Sequence, residues 1–71
     1  MAGRAGGDRA HLLAVLELPP DATAEQIREA WRTLAKVWHP DRFGADPALR
    51  ERATVRLAAI NAAYRTLMDG G

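Results

Sequence analysis

A histidine, a proline and an aspartate stand together in KVWHPDRFGADP, residues 36–47, with Lys36 ahead of them and Arg42 directly after. Three kinds of chemistry use such a cluster. A histidine–aspartate pair can act as a base with its orienting carboxylate. Nucleophilic catalysis of that type also needs a serine or cysteine, and the chain has neither. Imidazole and carboxylate can also hold a metal ion. His11 is the one other histidine and falls on a different element, so His39 and Asp41 lack the further ligands of a zinc site. The third use is recognition. Pro40 has its φ fixed and biases His39 away from helix, so Asp41 sits at a stiff corner that loses little freedom when a partner grips it. An ordinary helix-ending turn, with Asp41 bonded to nearby amides, is the plain alternative. These residues by themselves leave both open.

The corner takes its position from the helices on either side. Thr23 and Gln26 have the spacing of a capping box, in which each side chain satisfies the other's free amide. From there Ile27, Trp31, Leu34 and Trp38 recur at steps of four, three and four, which predicts one apolar stripe on a helix over about 23–38, stopped by Pro40. Arg28, Arg32 and Lys36 follow at i, i+4 and i+8 as a basic line running toward Asp41. Glu25 and Glu29 lie on the same side and can pair with the first two. In isolation such a line is a solvated helix face; its interest is where it leads.

Beyond the loop 39–45, Asp46 as cap and Pro47 at the first helical position predict a helix over about 46–68. Its stripe is Leu49, Ala53, Leu57, Ile60, Tyr64 and Leu67, and Gly70-Gly71 can close its end. Upstream, Leu12, Val15 and Leu16 predict a short helix over about 8–17, ended by Pro19-Pro20. Residues 1–7 are small and glycine-rich and read as a disordered segment, leaving 8–71 as the domain. The expected fold is all-α: an antiparallel two-helix hairpin with the short N-terminal helix packed across it. Trp31, Trp38 and Tyr64 at helical spacing are core residues in this reading and suggest no cofactor. Phe43 is expected to tuck under the loop against the helix pair.

Composition narrows the function. The chain of 71 residues has no cysteine, which excludes disulfides and thiolate metal sites, and it allows one domain at most. Ten basic and nine acidic residues leave a net charge of +1, which does not advertise a nucleic-acid or anionic-membrane partner. No apolar run reaches membrane-spanning length, and MAGRAGGDRA lacks the apolar stretch of a secretory signal. A soluble cytoplasmic module is expected.

Several of these pieces together resemble the J-domain, the module of DnaJ-type co-chaperones. HLLAVLEL stands at the family's first helix, ATAEQIREAWRTLAKVWHPDR at its second helix running into the His-Pro-Asp signature, and RLAAINAAYRTL at its third. In the last, Ile60-Asn61, Ala63-Tyr64 and Leu67 fall at the family's spacing. The resemblance covers about His11 to Met68. It implies a monomeric module that binds the ATP-loaded form of a DnaK-type (heat-shock-70) chaperone and stimulates its ATP hydrolysis, locking it onto a client. The module performs no covalent chemistry itself and uses no cofactor, metal, small-molecule substrate or nucleic acid. Carried over residue by residue, His39, Pro40 and Asp41 are the stimulatory loop. Asp41 engages an arginine of the chaperone, Arg42 supports that contact, and Arg28, Arg32 and Lys36 face acidic surface.

The sequence departs from the family at definite places. Thr33 and Val37 stand where members often carry basic residues, which thins the basic face. Leu12 and Leu13 replace frequent tyrosines, Leu57 a frequent phenylalanine, and Trp31 and Trp38 common tyrosines. Glu17 replaces a frequent glycine, a change without consequence if the turn there avoids positive φ. The family's fourth helix and the Gly/Phe-rich and zinc-binding regions of full-length DnaJ do not occur in these residues. A J-like scaffold with some other protein partner is the alternative, and the intact triplet argues against it. A small helix-turn-helix nucleic-acid binder is a further class, opposed by the long loop and the balanced charge.

Overall fold

The computed structural model describes the backbone of residues 2–69 and the side chains of residues 8–69. Its order is helix α1 (Ala2–Val15), helix α2 (Ala24–Val37), a 3₁₀ turn (Pro40–Phe43) and helix α3 (Pro47–Asp69), with no strand among the described residues. The all-α expectation holds. Trp31 of α2 meets Asn61 and Tyr64 of α3, while Trp38, just past the end of α2, meets Arg56. Contacts thus descend along α3 as they ascend along α2, so the two helices are antiparallel. Helix α1 and the 3₁₀ turn both pack against α3.

Both helices of the hairpin open on local chemistry. The Gln26 amide donates to Thr23 Oγ1 at 3.1 Å and the Thr23 amide donates to Gln26 Oε1 at 2.8 Å, so both bonds of the capping box that opens α2 are made. Asp46 Oδ1 accepts from the amides of Ala48 and Leu49 at 3.0 and 3.2 Å and opens α3 as a cap residue should.

Helix α1 differs from expectation at both ends. It begins at Ala2 rather than Asp8 and ends at Val15 rather than 17. No proline from Ala2 to Gly7 bars a helix from growing backwards, although each of the three glycines there weakens it by about 1 kcal/mol relative to alanine. Met1, Gly70 and Gly71 lie outside the described residues, and with them the glycine closure expected after α3. At the other end the Glu17 amide donates to Ala14 O and the Leu18 amide to Leu13 O, both at 2.9 Å, the paired bonds of a Schellman stop. That stop needs a left-handed residue, and Glu17 takes it with φ 61°. The condition under which Glu17 in place of glycine would be inconsequential is therefore not met. A side chain there costs roughly 1–2 kcal/mol.

The core joins Leu13 of α1 and Leu16, just past its end, to Ile27 and Leu34 of α2 and Ile60 and Leu67 of α3. Leu13, more deeply buried than the expected Leu12 and Val15, shares a face with Leu16 three residues on. Truncating a fully buried residue such as Ile27 or Ile60 costs about 2–5 kcal/mol. That is comparable with the whole stability of a domain this small, ~3–5 kcal/mol. Helix α3 has 23 residues against 14 in α2, roughly 34 Å against 21 Å, and so outruns its partner. Leu49, expected in the stripe, is consequently 44% exposed, whereas Ala53, Ile60, Ala63 and Leu67 are buried.

Candidate functional site

The exposed end of the hairpin is built by its own backbone rules. The Trp38 amide still donates to Leu34 O at 2.9 Å and closes α2. His39 then turns extended, φ −66° and ψ 129°, as a residue before proline must. Pro40 begins a 3₁₀ turn whose first amide it does not have to satisfy. The Arg42 amide donates to His39 O at 3.0 Å, and the Asp46 amide to Phe43 O at 2.9 Å.

His39 caps this turn with its ring. The Asp41 amide donates to His39 Nδ1 at 3.2 Å. An accepting Nδ1 places the neutral ring's proton on Nε2, which leaves that N–H for solvent or a partner. Among the described residues the Asp41 carboxylate has no hydrogen-bond partner; Oδ2 lies 3.7 Å from His39 Nδ1, too far for one. Its side chain is 86% exposed. In the ordinary-turn alternative the aspartate side chain ties down the backbone. Here the histidine does so and the carboxylate is left facing outward.

The turn has no buried residue, and its seat on the fold is aromatic. Phe43, half-buried, faces Trp38 with ring centroids 6.3 Å apart and planes 29° from parallel, so it tucks toward the helix pair as expected. Arg56 of α3 places its guanidinium carbon 5.6 Å from the centre of the Trp38 ring, and its Nη2 lies 3.8 Å from Glu17 Oε2.

Arg28, Arg32 and Lys36 are all exposed on α2. Among the described residues Arg56–Glu17 is an ion pair and His39 Nδ1 lies near Asp41 Oδ2, whereas Glu25 and Glu29 do not come within salt-bridge distance of the basic line. Arg42, exposed, extends the positive surroundings to the far side of Asp41. The arrangement thus brings His39, Pro40, Asp41 and Arg42 into one turn, with Arg28, Arg32 and Lys36 along the helix leading into it. Sequence reasoning gave no role to Glu17 or Arg56, whose meeting depends on tertiary register. No group of three or more metal-ligating side chains occurs among the described residues, and no helix there is long and apolar enough to cross a membrane.

The DnaJ domain family model matches residues 12–70. The chaperone protein DnaJ of Thermotoga petrophila is 44% identical over 55 residues, which are 78% of this chain and 14% of that protein. DnaJ homolog subfamily B member 3 of Mus musculus is likewise 44% identical over 55 residues, 22% of its own length. The chaperone protein dnaJ 11, chloroplastic, of Arabidopsis thaliana is 43% identical over 60 residues, 84% of this chain and 37% of the relative. The chain spans well under half the length of each of these relatives. No solved structure matches it.

Proposed function

Since the chain belongs to the DnaJ domain family, we propose that it docks on the ATP-loaded form of a DnaK-type (heat-shock-70) chaperone and stimulates that partner's ATP hydrolysis through His39-Pro40-Asp41. The observation that carries this reading is the Asp41 carboxylate: 86% exposed, unbonded, and held on a stiff turn at the end of a basic helix. The labour divides by charge and by rigidity. Arg28, Arg32 and Lys36 act at a distance of about one Debye length, ~8 Å at physiological salt, and set encounter rate and orientation toward acidic surface. Asp41 then makes one short contact with a cationic group, beside Arg42 and the free Nε2–H of His39. A binder that catalyses nothing itself changes the partner's turnover only by favouring one of its states. A preorganised charge does this well because little of its contact energy is lost in ordering.

The test is the steady-state ATP turnover of a bacterial DnaK-type chaperone titrated with the chain. Asp41→Asn keeps the size of the side chain and removes its charge. Maximal stimulation is expected to fall more than about tenfold, equivalent to ~1.4 kcal/mol. The melting temperature should stay unchanged, because the carboxylate is 86% exposed and has no hydrogen-bond partner among the described residues. Full stimulation by the folded Asp41→Asn variant would remove the turn from the mechanism.

A further inference from the structure

We infer that Arg56 is a positioning residue for the His39-Pro40-Asp41 turn, held over the Trp38 ring by the carboxylate of Glu17. The inference rests on the reading that Asp41 is what the chaperone engages, and it concerns how the fold aims that carboxylate.

It begins from the one non-glycine residue with positive φ among those described, Glu17 at 61°. The Schellman stop it completes would be made with less strain by glycine. Backbone geometry therefore gives no reason for a glutamate, and strain of this kind points to what the side chain does. Glu17 Oε2 lies 3.8 Å from Arg56 Nη2. Arg56 in turn stands 5.6 Å from the Trp38 ring centre, within reach of a cation–π contact. Trp38 immediately precedes His39, and its ring faces Phe43, the last residue of the 3₁₀ turn. The two aromatic residues thus bracket the turn at its entry and its exit. The turn's own bonds, Arg42 amide to His39 O and Asp41 amide to His39 Nδ1, fix its internal shape but not its angle to the helices. Besides the turn's own packing on α3, Trp38 and Phe43 tie it to the helix pair, and Arg56 leans on Trp38 from α3.

The Glu17–Arg56 pair is largely open to solvent, with side chains 63% and 43% exposed, so it adds little to stability. A positional role and a stabilising role consequently predict opposite results for Glu17→Gly. That substitution relieves the left-handed residue and releases Arg56 together. The melting temperature should hold or rise. Maximal stimulation of the chaperone should fall roughly threefold, the scale of one exposed pair, with the half-stimulating concentration little changed. In the absence of chaperone, the Trp38 indole N–H and the Arg42 amide should shift in nitrogen–proton correlation spectra. The Trp31 indole N–H, bonded to Asn61 Oδ1 at 2.8 Å away from this cluster, serves as the unmoved reference. Glu17→Gln, which keeps the side chain's length, should shift the same signals and lower stimulation in the same sense. Arg56→Lys should retain part of both. Native spectra with full stimulation in Glu17→Gly would overturn the inference. So would a change confined to the half-stimulating concentration, the mark of Arg56 touching the partner directly. A wild-type chain that fails to stimulate removes the function proposed above; the spectra without chaperone then decide the positioning of the turn by themselves.

Discussion

Trp31 and Trp38 lie seven residues apart, the first on α2 and the second at its C-cap, yet the two ends of the hairpin hold them differently. Trp31 is locked: its ring stacks on Tyr64 at 4.4 Å and 12°, and its indole N–H donates to Asn61 Oδ1 at 2.8 Å. Trp38 is seated more loosely, against Phe43 at 6.3 Å and 29°, with a cation above it. The same residue type clamps the helices together at one end and packs beside an exposed turn at the other. A small domain can in this way keep its closest aromatic packing at one end of the hairpin and an open carboxylate at the other.

Truncating each ring puts this difference to its hardest test. Trp31→Ala removes a close stack and leaves Asn61 Oδ1 without its donor. It should lower unfolding free energy by about 3 kcal/mol, enough to bring a domain of this size near its melting point. Trp38→Ala loses a looser contact and should cost less, about 2 kcal/mol, yet reduce stimulation by the molecules that stay folded. Because Trp31→Ala sits so close to unfolding, Trp31→Phe and Trp38→Phe supply the graded pair. The first forfeits the bond to Asn61, about 1 kcal/mol, with stimulation intact. The second keeps most of the seat for Phe43. Urea titrations give the stabilities, and turnover is measured well below each melt. Equal loss of stimulation per folded molecule from both tryptophan truncations would erase the distinction between the two ends.

A smaller effect is expected from the basic line, which belongs to neither end. Arg28 and Arg32 are exposed and outside salt-bridge distance of any carboxylate among the described residues, so removing both should leave the melt unchanged. Arg28→Ala with Arg32→Ala should raise the half-stimulating concentration roughly tenfold, ~1.4 kcal/mol, and preserve the maximum. The gap between variant and wild type should close as salt is added. A lowered maximum instead would mean that α2 helps select the chaperone's state rather than only steering the encounter.

Legibility in the sequence tracks the range of the interactions involved. The capping box of Thr23 and Gln26 and the Asp46 cap are readable because partners two or three residues apart meet whenever a helix forms. The stripe of α2 is readable for the same reason. The start of α1 is misplaced because no residue there forbids helix, and a sequence marks a boundary only where something does. The 3₁₀ turn over Pro40–Phe43 is hidden inside a loop, since proline marks where an α-helix ends without dictating the conformation beyond it. Leu49 is assigned to the core because periodicity carries no knowledge of where the opposite helix stops. Arg56 is the least legible of all. Beside a stripe it looks like any solvated arginine, and only the register of α3 on α2 brings it over Trp38 and beside Glu17.

The mildest expected change probes the division between steering and selecting by adding a charge rather than removing one. Val37 closes α2, 43% exposed, directly ahead of the aromatic seat. A lysine there would extend the positive face to the foot of the turn and would stand at a helix C-terminus, where a cation is favoured by ~0.3–1 kcal/mol. It would also take an apolar side chain out of water. Val37→Lys should therefore hold or slightly raise the melting temperature. Its half-stimulating concentration should drop by about threefold, since a charge at an interface's rim acts mainly on the encounter. Maximal stimulation should not move, because neither Asp41 nor its support has been touched. A raised maximum would show that position 37 reaches the partner in the activated state itself, and would shift the proposed boundary between a steering helix and a selecting turn back into α2.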